Sequence, residues 1–75
     1  MFVKVERIKE GSESLFQCDT TFWNKITEDG KEVDMLILES DKDNKTILFD
    51  ASEEQFHVFT MNDSGKTIDA QYISN

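Results

Sequence analysis

At 75 residues, with eight basic against sixteen acidic side chains and a net charge of −8, the chain has room for one domain and one small core. That charge argues against direct contact with a nucleic-acid backbone, an attraction driven by cationic side chains, and against anionic membrane surfaces. A lone cysteine and a lone histidine exclude an internal disulfide, and they argue against a structural zinc site, which takes about four Cys or His ligands.

A chain this short buries only about 60% of the surface its unfolded form exposes, so stability rests on dense packing or on self-association. Eight aromatic residues, spread from Phe2 to Tyr72, favour dense packing. Met1–Arg7 is followed by no apolar run of the kind a secretory leader carries, and nothing approaches the roughly 18 apolar residues of a membrane span. A cytoplasmic location is the expectation, in keeping with one reduced thiol. Two glycosylation triplets, Asn44-Lys45-Thr46 and Asn62-Asp63-Ser64, carry no meaning without secretion.

In chain order, polar clusters with glycine punctuate apolar stretches. Glu10–Ser14 surrounds Gly11, Glu28–Lys31 contains the hairpin signal Asp29-Gly30, and Asn62–Lys66 contains Gly65. Asp41–Lys45 is a fourth turn, where Asn44 suits the left-handed conformation. Between them the hydrophobic period is two. Val3 and Val5 alternate with Lys4 and Glu6; Phe16, Cys18 and Thr20 with Gln17 and Asp19; Ile68, Ala70 and Tyr72 with Thr67, Asp69 and Gln71. The pattern predicts strands at 2–9, 14–21, 32–40, 45–50, 55–62 and 66–73. The fold class expected is all-β, a small antiparallel meander or barrel of five to six strands. Residues 20–28 read equally as a short helix capped by Asp19, with Phe22 and Ile26 on one side and Gly30 as its stop, which would make the class α+β. Ser52-Glu-Glu-Gln55 has the form of a capping box, yet Phe56, Val58, Phe59 and Thr60 favour strand.

Several constellations suggest chemistry and fail on detail. Asp41-Lys-Asp opens like a calcium loop, but Lys45 holds a ligand position and Thr46 replaces the required glycine. Gly65-Lys66-Thr67 matches the tail of a phosphate loop, but Thr60 stands where its first glycine belongs. His57 has no strained nucleophile turn or glycine-rich oxyanion loop beside it, and Cys18 reads as a small hydrophobe on a strand. The expectation is a non-enzymatic protein with no cofactor and no metal.

The remaining signals concern surfaces. Val33, Met35 and Ile37 alternate with Leu36 and Leu38, and Phe56 and Val58 oppose Phe59 and Met61, so two strands are apolar on both faces. A lone small sheet covers one face only, so the other is covered by a helix at 20–28, a second copy of the chain or a partner protein, or is left as scattered exposed hydrophobes of the ordinary kind. Glu28 to Glu54 holds ten acids against three lysines, a net −7, leaving −1 for the rest of the chain. Apolar anchors beside concentrated negative charge suit a protein partner with a basic surface, including the groove of a nucleic-acid-binding enzyme that an acidic protein would occupy as a nucleic-acid mimic. Small phage-encoded inhibitors of host or defence enzymes are similar in size, charge and lack of catalytic motifs, a general likeness carried by no motif. The candidate partner-binding residues are Trp23, Glu28, Asp29, Glu32, Asp34, Glu39, Asp41, Asp43, Glu53 and Glu54. A different class of reading is an oligomeric small-ligand binder for nucleotide-like molecules. There Phe22, Trp23, Phe56 or Tyr72 would stack on a ring, and Lys66 or Arg7 would meet a phosphate. A homodimer would also account for the doubly apolar strands.

Overall fold

The period-two segments form strands in the computed structural model, which describes residues 1–74. In chain order they are β1 (Phe2–Arg7), β2 (Ser12–Gln17), β3 (Thr20–Glu28), β4 (Lys31–Glu39), β5 (Asn44–Phe49), β6 (Phe56–Met61) and β7 (Thr67–Ile73). All pairings are antiparallel, and no helix occurs among the described residues. The all-β class is as expected. The count is seven rather than five to six, because residues 20–28 add a strand of their own: β2 stops at Gln17 and β3 runs from Thr20 to Glu28.

The helix alternative at 20–28 gives way to β3. Asp29-Gly30 takes positive φ at both positions, 51° and 78°, which is the twist a two-residue hairpin needs. That turn sets Glu28 against Lys31 and runs the register back to Thr20 against Glu39. β4 then pairs with β5 on its other side, so β3-β4-β5 is one three-stranded sheet. The second sheet is four-stranded, in the order β2-β1-β6-β7. It joins the first strand of the chain to the sixth through a register of Phe2 opposite Met61 and Arg7 opposite Phe56.

The two sheets stack instead of closing into a barrel. Val3 and Val5 of β1, Phe56 and Val58 of β6 and Ile73 of β7 face Leu36 and Leu38 of β4 and Phe49 of β5 across one shared core. Phe49 reaches both layers: its ring lies 5.5 Å from Trp23 in its own sheet and 5.0 Å, edge-on, from Phe56 in the other. Cys18 lies at the crossing between sheets. It is buried, and its N–H donates to the Met1 carbonyl at 3.0 Å, while the next residue, Asp19, donates to Glu39 at 2.8 Å. At the opposite end Arg7 ties the return connection down, pairing with Glu54 at 2.6 Å and lying over the Phe56 ring.

Candidate docking face

β4 is the middle strand of its sheet, and alternation sends its side chains to two different environments. Leu36 and Leu38 point inward and are buried. Val33, Met35 and Ile37 point outward, away from the other sheet. The register sets Ile37 between Phe22 and Thr46, Met35 between Asn24 and Leu48, and Val33 beside Ile26. The outer side of the three-stranded sheet is therefore an apolar stripe with no charged side chain in its middle rows. Nothing among the described residues covers it: Phe22 and Leu48 are each 47% exposed. Val33 is the exception, buried at the floor of a shallow depression of about 290 Å³ lined by Glu28, Asp29, Lys31, Leu48 and Asp50.

The carboxylates gather at the two ends of that stripe. Glu28 and Asp29 occupy the β3–β4 turn, with Asp50 beside them. Glu39, Asp41 and Asp43 lie at the far end, where Glu39 accepts a hydrogen bond from Thr20 at 3.3 Å and Asp19 accepts one from the Asp41 backbone at 3.1 Å. Ser40 pins the turn between them, donating to the Asp43 carbonyl at 2.7 Å. At about 3.4 Å per residue, the nine residues of β4 hold the two acidic ends roughly 27 Å apart. The arrangement is acid, apolar stripe, acid along one side of a flat body measuring 37 × 25 × 17 Å.

The ten residues singled out from sequence divide accordingly. Glu28, Asp29, Glu39, Asp41 and Asp43 border the stripe. Glu32 and Asp34 alternate to the other side of β4, and Asp34 lies 3.8 Å from Lys25. Trp23 also faces inward, half-buried against Phe49, while its neighbour Phe22 faces out. Glu53 is exposed in the β5–β6 connection, and the charge of Glu54 is taken up by Arg7. Sequence reasoning passed over Leu48 as a surface anchor. Its signal was the same alternation, since Ile47 and Phe49 on either side of it belong to the inner face.

Comparison with known protein families, curated proteins and solved structures gives no match for this chain. Its own geometry is what speaks for its function.

Of the residues of the ligand-binding alternative, only Trp23 and Tyr72 come together. Phe56 is buried, Arg7 is held by Glu54, Lys66 sits in the β6–β7 turn, and Phe22 and Trp23 face opposite ways. A cleft of about 610 Å³ does open between the edges of β3 and β7, lined by Trp23, Lys25, Asp34, Gln71 and Ile73. Tyr72 also lines it, and its ring packs edge-on at 5.0 Å against His57, its register partner.

Proposed function

We propose that this is a non-enzymatic binding protein that docks on a basic protein surface through the outer side of its three-stranded sheet. The observation that carries the reading is the uncharged apolar stripe of Phe22, Ile26, Met35, Ile37 and Leu48, bounded at both ends by carboxylates. Apolar side chains closed off from water hold a complex together, while flanking charge steers the encounter and fixes orientation. A partner that fits presents an apolar ridge between two Lys- or Arg-rich shoulders. The walls of a groove built to hold a nucleic-acid backbone have that charge, and a protein seated there excludes the nucleic acid, which makes stoichiometric inhibition the natural outcome.

The test is capture from a cell lysate on immobilised protein, in parallel with Phe22→Ser/Leu48→Ser, a pair that removes the two most exposed side chains of the stripe without touching the core. The expected result is a basic protein retained by the wild type, lost on the double variant, eluted by raising salt and displaced by a duplex oligonucleotide. Equal retention on both proteins, or retention indifferent to salt, overturns the reading.

A further inference from the structure

We infer that the outer side of the four-stranded sheet is an interface for a second copy of this chain. Among the described residues it is a second face with exposed apolar side chains. The register builds it in three rows across β2, β1, β6 and β7: Leu15, Lys4, Phe59 and Ala70; Glu13, Glu6, His57 and Tyr72; Gln17, Phe2, Met61 and Thr67. Leu15 is 62% exposed and Tyr72 55%, and Phe2, Phe59 and Met61 are only half-covered by their neighbours.

Two observations identify the occupant. The first is charge. Of the chain's net −8, this face carries only Lys4 against Glu6 and Glu13, a net −1. A second copy, itself strongly acidic, meets the least repulsion here. The acidic ends of the three-stranded sheet would repel their own image.

The second is self-complementarity. Two such sheets face to face, related by a two-fold axis that runs along the strands between β1 and β6, keep each row at its own height and reverse its order. Glu6 of one copy then lies over His57 of the other, Lys4 over the Phe59 ring, Leu15 over Ala70, Glu13 over Tyr72 and Phe2 over Met61. Within one chain Lys4 already lies 5.0 Å from the Phe59 ring and 3.4 Å from Glu6, so the face is organised for these pairings before a partner arrives. No like-charged pair is created anywhere in the three rows. A two-fold axis at right angles to the strands and through the middle row, by contrast, sets Lys4 on Lys4. The resulting dimer leaves both three-stranded sheets facing outward, and two linked docking faces bind a partner with two sites far more tightly than one.

The experiment is sedimentation velocity of the full chain over a concentration series, at 8.7 kDa per protomer. The wild type is expected to sediment at twice the protomer mass. Leu15→Lys, at an exposed position on an edge strand, and Phe59→Lys, which sets a cation over Lys4 of the other copy, are each expected to weaken the dimer about tenfold or more. Phe22→Ser/Leu48→Ser is expected to leave it intact. A wild-type protein that stays monomeric at high concentration overturns the inference, as does a dimer broken by the Phe22/Leu48 pair and indifferent to Leu15→Lys. Far-ultraviolet circular dichroism on each variant confirms that a loss of mass is not a loss of fold. The proposed docking on a basic partner stands or falls separately, because its variants lie on the opposite side of the molecule.

Discussion

Phe49 ends β5 and Phe56 opens β6, and their rings meet edge-on across the two sheets with centroids 5.0 Å apart. The six-residue connection between them is the last crossing from one sheet to the other, so this contact closes the core at one end. Phe49 is 1% exposed. Its truncation to alanine removes a ring that also packs on Trp23, and is expected to cost about 3–5 kcal/mol. Small domains have about 5–15 kcal/mol in all, so Phe49→Ala is expected to lie at the edge of folding. Urea titration followed by Trp23 fluorescence reads this directly. A midpoint unchanged from the wild type would mean that the two sheets do not depend on this contact.

Gly30 makes a separate prediction, because its constraint is conformational and not steric. A Cβ built at this position meets nothing within 4 Å, yet φ is 78°. Gly30→Ala is therefore expected to lose about 1–2 kcal/mol through backbone strain alone. In a domain of this size that corresponds to a fall in Tm of roughly 4–8 °C per kcal/mol. Asn, which tolerates the left-handed region, is expected to lose less than Ala.

Asp50 makes a prediction about stability in acid. Its carboxylate accepts hydrogen bonds from the Ser52 hydroxyl and from the Ser52 backbone N–H, the latter at 2.9 Å, and these hold its pKa below the ordinary aspartate value. A depressed folded-state pKa stabilises the protein above the unfolded value and ceases to do so as pH falls through the folded one. The gap in urea midpoint between wild type and Asp50→Ala is thus expected to be present at neutral pH. It should narrow below about pH 4 and stop changing once the carboxyl is protonated in both states. A gap that widens in acid contradicts the assignment.

Cys18 is expected to be inert. Burial pushes its thiol pKa up, with the neighbouring Asp19 carboxylate adding to the rise and the Met1 amine opposing it. Both the low thiolate fraction and the burial slow attack on a disulfide reagent. The rate of reaction with a colorimetric disulfide is expected to be slow in buffer and to rise to that of a free cysteine in denaturing urea.

Most of the fold was legible because alternation and turn chemistry agree. The Asp29-Gly30 pair sets the β3–β4 register, and the Asn62–Lys66 turn appears where glycine announced it, with the Asn62 side chain accepting from the Lys66 backbone at 2.9 Å. Residues 20–28 were ambiguous for a physical reason. Phe22 and Ile26 lie on one side of a helix at a spacing of four, and on one side of a strand at the same spacing, so the pattern alone does not separate the two. The decision came from β4, whose inner and outer apolar sets needed a paired neighbour. The doubly apolar character of 33–38 and 56–61 was readable, and both strands proved central in their sheets. How the acidic residues would group was not readable. That depends on which turns share an end of the sheet, and Glu28 and Glu39, eleven residues apart, come to lie at opposite poles of one strand pair.

The pairing of β1 with β6 has a consequence for how the chain reaches this structure. Residues 20–49 form their sheet through two neighbouring hairpins, contacts of short sequence separation that are made quickly. β1 finds its second partner only when Phe56–Met61 arrives, across some fifty intervening residues. Loop closure on that scale sets the slow step, and during synthesis on the ribosome the inner faces of Val3 and Val5 stay wet until Phe56–Met61 has emerged.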